Sequence, residues 1–140
     1  MATLELSNEQ LKKLLRLAYL GEWVLQAHDK DNYDKDIDDL EQELYALAYN
    51  NGLDEEVEFD EKLGGYVPTP EFEEMCDEDI ENYDENTFWE ELIVRMSQKE
   101  MPTAEEGVSQ KEIDKLQNKI INDLEKEFRR NGLQNLTLEE

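Results

Sequence analysis

The sequence predicts a mainly α-helical fold: a compact bundle of about four helices with one small β-hairpin, plus a linked C-terminal helix. Three observations predict it. Apolar residues recur at helical spacing in five segments. Two capping-box words, Ser7 to Gln10 and Ser109 to Glu112, mark helix starts. One short alternating stretch, Val57-Glu58-Phe59, lies ahead of Gly64-Gly65 and of Pro68 and Pro70, as in a hairpin.

The first helix spans residues 11–27, with its start near Asn8, and is the element around which the rest is expected to pack. Leu14, Leu15, Leu17, Ala18, Tyr19, Leu20, Trp23, Val24 and Leu25 leave only a narrow polar stripe through Lys12, Lys13 and Arg16. A helix apolar nearly all round is expected to be buried. Gly21 interrupts it, which either admits a close helix neighbour or is a tolerated surface glycine. Residues 28–36 form a polar loop. The second helix, residues 36–49, places Ile37, Leu40, Leu44, Leu47 and Ala48 on one face and ends at Asn50-Asn51-Gly52. With so short a loop, the two helices should pair antiparallel.

Residues 57–67 read as the hairpin, with a turn at Asp60-Glu61-Lys62. A third helix opens at Pro70 or Glu71, where proline suits the first turn. Phe72, Met75, Cys76, Ile80 and Tyr83 keep its period, and Tyr83-Asp84-Glu85-Asn86 is read as a break. A fourth helix then presents Phe88, Trp89, Leu92, Ile93 and Met96 as a face for the first. The expected core is Leu15, Ala18, Tyr19, Trp23, Leu44, Leu47, Phe88, Trp89 and Leu92. Residues 1–100 thus form an acidic core domain, and 101–108 a linker with Pro and Gly. Residues 109–140 carry the last helix, which ends at Gly132. Its narrow apolar stripe is Ile113, Leu116, Ile120, Leu124 and Phe128. Lys111, Lys115, Lys119, Lys126, Arg129 and Arg130 make it the one base-rich element, packing on its own domain or forming a homodimer with a second subunit.

Charge bounds the function. The chain of 140 residues holds 38 Asp and Glu against 14 Lys and Arg, a net −24. Residues 1–28 are net zero, while 29–100 carry −21 of the total. Direct binding to nucleic acid or an anionic membrane is disfavoured, because both need Lys and Arg. A charge-steered partner should be basic. A single cysteine, Cys76, excludes an internal disulfide, and the amino terminus lacks a signal-peptide pattern; both fit a cytoplasmic protein.

No motif specifies a reaction or a cofactor. In the loop, Asp29, Asp31, Asp34 and Asp36 invite comparison with a calcium-binding helix–loop–helix. The template fails at Asp34 in the glycine place, Asp36 in the apolar place and Leu40 in the bidentate-glutamate place. A weak divalent-cation site on these four carboxylates is set against the plainer reading of a solvated loop whose aspartates favour the next helix start. His28 and Cys76 cannot by themselves complete a zinc site. Acidic neighbours should keep the Cys76 thiol protonated and inert. Carboxylate pairs such as Glu73-Glu74 and Glu90-Glu91 leave a carboxylate-based enzyme open without specifying one.

The words Tyr19-Leu20-Gly21-Glu22-Trp23, Leu47-Ala48-Tyr49 and Tyr83-Asp84-Glu85-Asn86-Thr87-Phe88-Trp89-Glu90-Glu91-Leu92 resemble a group of small acidic bacterial proteins of uncharacterised function. The resemblance covers residues 8–100. It implies a compact helical domain in a bacterial cytoplasm, and no substrate, cofactor or catalytic residue. The function expected is a non-enzymatic interaction or regulatory module whose acidic face meets a basic protein. The alternatives are a nucleic-acid mimic that occupies a basic DNA- or RNA-binding protein, or a weak cation binder or carboxylate enzyme.

Overall fold

The computed structural model describes residues 1–101 and 107–139, so residues 102–106 of the expected linker lie outside the described part. At its start, Ser7 Oγ accepts from Gln10 N at 3.2 Å while Ser7 N donates to Gln10 Oε1 at 2.9 Å. This capping box opens α1 (Asn8–Gln26) at the expected place. Asp34 caps α2 (Lys35–Asn50), accepting from Asp36 N at 3.0 Å. The helix stops as Asn51-Gly52 predicts. Gly52 takes φ +84°, its N–H reaches Tyr49 O, and the Leu53 N–H reaches Ala48 O at 3.0 Å. That pair of bonds satisfies two orphan carbonyls and turns Leu53 into the core.

The hairpin follows, with β1 (Val57–Asp60) antiparallel to β2 (Gly65–Pro68) in the register Phe59 opposite Tyr66. Its turn is longer than expected. Asp60 Oδ1 accepts from both Lys62 N and Leu63 N, and Gly64 adopts φ +65°. Leu63 therefore stands in the turn, exposed, and the second strand begins at Gly65. Gln42 of α2 ties down the hairpin. It donates to Tyr66 O at 2.8 Å and accepts from Tyr66 N at 3.1 Å, so one amide satisfies the strand edge as a further strand would. Gly65 leaves room for it; a Cβ there would stand 2.9 Å from Gln42 Oε1. Gln42→Ala should cost about 1–2 kcal/mol in urea unfolding, with the largest gain in amide exchange at Tyr66.

Thr69 and Pro70 begin α3 (Pro70–Glu100) where expected, with the Thr69 hydroxyl accepting from Phe72 N at 3.3 Å. The helix then runs unbroken for 31 residues. The break expected at Tyr83–Asn86 does not exist. Those four residues include no glycine or proline, and their modest propensities do not stop a helix that has neighbours to pack on. A second capping box, Ser109 with Glu112, opens α4 (Gln110–Asn131), and Gly132 closes it. The fold is mainly helical with one two-stranded antiparallel sheet, as the sequence predicts.

The chain forms two compact units, Met1–Glu81 and Asn82–Glu140. The core of the first is Leu11, Leu15, Tyr45, Ala48, Leu53, Val57, Phe72 and Cys76, with Leu6, Leu14, Tyr19, Leu20, Leu44 and Tyr66 packed against it. Leu15 is fully buried, but Ala18, Tyr19, Trp23 and Leu44 are only partly so, and Leu47 is half exposed. On α2 the inward face runs through Tyr45 and Ala48 rather than Leu40 and Leu47. A tyrosine ring has more surface to bury than a leucine, and it sets the helix rotation. Nor is α1 buried all round: Leu17 is 68 %, Val24 67 % and Leu25 60 % exposed. In the second unit Ile93, Ser97 and Phe128 are buried. Trp89, partly buried as is Leu92, packs on Phe128 of α4 with ring centres 5.5 Å apart, whereas Phe88 faces water.

Candidate functional site: an acidic groove beside the hairpin

Residues 54–58 reach the start of α3 through Thr69. Its hydroxyl donates to Glu55 O at 2.6 Å, and its N–H donates to Glu56 O at 2.9 Å. Being buried and fully engaged, Thr69 holds the loop and the first turn of α3 as one wall. Between that wall and α1 lies an open groove of about 700 Å³, lined by Lys12, Asp54, Glu55, Glu56, Glu58, Thr69, Glu71, Phe72 and Met75. Phe72 and Met75 form an apolar floor, and five carboxylates stand around it against one lysine. Lys12 Nζ lies 3.2 Å from Glu56 and 3.5 Å from Glu9. Its ammonium pKa is raised, chiefly by the hydrogen bond to Glu56. The chain thus already places one alkylammonium group against this surface.

Behind the groove, α1 is held to α3 by a bidentate Arg16–Asp79 pair. Asp79 is held below the usual carboxylate range, first by the hydrogen bond from that guanidinium. Tyr19 meets Phe72 edge-on at 6.2 Å, and its hydroxyl pKa is pushed up to about 12 by burial and by Asp77. Cys76 is fully buried, and its thiol is pushed up to about 11 by burial and the Asp79 charge. It is the small buried hydrophobe that its sequence neighbours suggest.

Two of the four loop aspartates hold local backbone. Asp29 Oδ1 accepts from Asn32 N at 3.1 Å and its Oδ2 from Asn32 Nδ2 at 2.7 Å; Asp34 caps α2; Asp31 and Asp36 are exposed. Among the described residues no three His, Cys, Asp or Glu side chains stand together as a metal ligand set. His28 packs edge-on against Trp23, with ring centres 5.8 Å apart.

Another polar cluster sits in the seam between α1 and α2. Gln26 donates to Glu22 at 3.0 Å and to Asp38 at 2.8 Å, and accepts from Asp34 N at 2.7 Å. Below them Glu41 and Tyr45 enter the core. The Glu41 carboxyl is pushed up to about 7, first by burial and then by the charges of Glu22 and Asp38. Tyr45, only 1 % exposed, favours the Glu41 anion, yet neither its hydroxyl nor Glu41 Oε2 closes a hydrogen bond.

Matched against family models, curated proteins and solved structures, the chain finds no counterpart in any of the three. Among the described residues no helix is long and apolar enough to cross a membrane. The groove lies apart from the loop at 29–36, where the sequence clusters its aspartates. The groove's residues come from α1, residues 54–58 and α3, and only folding brings them together. The one local signal was the acidic run Asp54-Glu55-Glu56 beside the hairpin.

Proposed function

We propose that this protein is a non-enzymatic interaction module of the bacterial cytoplasm, as the sequence resemblance implies, and that its groove takes a lysine or arginine side chain from a basic protein segment. The observation that carries this reading is the set Asp54, Glu55, Glu56, Glu58 and Glu71 around the Phe72 and Met75 floor, with Lys12 already paired there. Long basic side chains lay an apolar stem on such a floor and keep the charge at the rim. The unit that holds the groove carries 24 acids and 6 bases, so its field draws a cationic partner in.

The test is calorimetric titration of the whole chain with an arginine- and lysine-rich peptide. Binding should weaken steeply from 50 to 300 mM salt, because exposed charges are screened within ~8 Å at physiological ionic strength. The double variant Glu55→Lys, Glu58→Lys should lose about tenfold in affinity or more. No binding at low salt, or equal binding by the double variant, rejects the reading.

One observation favours the second reading, nucleic-acid mimicry. Along α3, residues 71–81 carry seven carboxylates and no base. At 1.5 Å rise per residue that is roughly one charge per 2.4 Å, against roughly 1.7 Å along duplex DNA. Charge reversal at Glu74 and Glu78, outside the groove, separates the two: mimicry needs them and groove binding does not.

A further inference from the structure

Four of the carboxylates that line the acidic groove, those of Asp54, Glu55, Glu58 and Glu71, belong to exposed residues. Glu56 is the exception, with 16 % of its side chain open to water. Opposite charges attract more strongly where water is thinner, so Glu56 is the strongest anchor that the groove can offer a cation. That anchor is already taken, because Lys12 Nζ lies 3.2 Å from Glu56 Oε1. Lys12 is fixed to α1, so it reaches Glu56 without the loss of freedom that a separate molecule suffers on binding. It also has somewhere else to go. Glu9, three residues earlier on the same helix and largely exposed, has its Oε1 3.5 Å from the same ammonium group.

We propose, on the reading that the groove takes a lysine or arginine side chain, that Lys12 is a built-in competitor for that place. Its ammonium group keeps Glu56 from an incoming cation, and binding requires it to swing from Glu56 to Glu9 or to water. The competition sets a threshold for partners. A segment with a single basic residue gains from Glu56 no more than Lys12 already does, and meets the Lys12 charge as repulsion. A segment with several basic residues also engages Asp54, Glu55, Glu58 and Glu71, and the added attraction displaces Lys12. The groove is therefore selective for polybasic segments, and Lys12 is the residue that makes it so.

Calorimetric titration of the full chain with the arginine- and lysine-rich peptide at low salt tests this, with wild type, Lys12→Met and Lys13→Met compared. Methionine keeps the helix propensity of lysine and removes its charge. Both variants change the net charge equally. Lys13 is exposed and, among the described residues, makes no ion pair, so its variant measures the long-range field alone. Lys12→Met should bind at least about fivefold more tightly than Lys13→Met. Because Glu56 has lost its partner there, saturating peptide should also raise the melting temperature of Lys12→Met by more than that of wild type. Lys12→Gln, whose amide can still donate to Glu56, should show the same gain in smaller measure, and replaces the methionine variant if that one does not fold. Lys12→Met combined with Glu56→Gln should bind no more tightly than wild type. Wild-type binding with Lys12→Met no tighter than Lys13→Met overturns the proposal and leaves the groove reading standing. A gain that survives Glu56→Gln overturns it as well, because the freed carboxylate is then not its source. No binding by wild type or by any variant rejects the groove reading itself, and the proposal with it.

Discussion

Leu15→Ala should lower the unfolding free energy of the first unit by about 3 kcal/mol, measured as a shift of the urea midpoint at unchanged slope. Leu15 has no exposed surface and lies in the same cluster as Tyr45, Ala48 and Cys76. Its side chain fills space where α1 meets the rest of the core, and truncation removes those contacts and leaves a void. Leu17, two residues on, is the control. With 68 % of its surface already in water, Leu17→Ala should change the free energy by less than about 0.5 kcal/mol. Equal effects at the two positions would mean that α1 is buried on a different side.

Glu41 gives the second large effect, through pH. Its folded-state pKa, about 7, lies above the ordinary 4.5, so the folded chain holds a proton that the unfolded chain gives up earlier. The sign follows from linkage: its contribution is complete below about 4.5 and is lost as pH climbs through about 7. Above that, Glu41 is a charge in a partly apolar seam beside Glu22 and Asp38. Glu41→Gln keeps the shape and removes the titration. The variant should therefore be more stable than wild type at pH 8, by about 2 kcal/mol once solvent screening of this half-buried group is allowed for, and nearly equal at about pH 4. Tyr45→Phe removes the one neighbour that lowers the Glu41 pKa, so that variant should lose the Glu41 contribution at a higher pH than wild type. Chemical denaturation of the three proteins from about pH 4 to about pH 8.5 checks this. Wild-type and Glu41→Gln curves that run parallel would show that Glu41 ionises freely in the folded chain.

The candidate site was the least legible part of the molecule. Composition alone predicted an acidic surface and a basic partner class, because charge counts do not depend on folding. They could not say which carboxylates would meet. Asp54 to Glu58 and Glu71 look like any other acids in a chain that has 38 of them. What makes them a site is the apolar floor between them and the Thr69 bonds that hold both banks. Asp29, Asp31, Asp34 and Asp36, close in sequence, offered a weak candidate cation site beside the plainer reading of a solvated loop. In the fold, the backbone at the start of α2 and at the loop turn uses the carboxylates of Asp34 and Asp29.

By itself the sequence determined where most elements begin and end. Ser7, Asp34, Thr69-Pro70, Ser109, Gly52 and Gly132 act on backbone groups within a few residues, so their effect is local and readable. Only the tertiary structure decided which face of each helix turns inward. That choice is a competition among surfaces from distant segments: Tyr45 outweighs Leu40 and Leu47, and α1 turns its Leu17–Gly21–Val24 side to water because Leu11 and Leu15 fit the space that α2, the hairpin and α3 leave. The same holds for the missing break at Tyr83–Asn86, where packing along both halves of α3 carried the helix through residues that have no strong preference of their own.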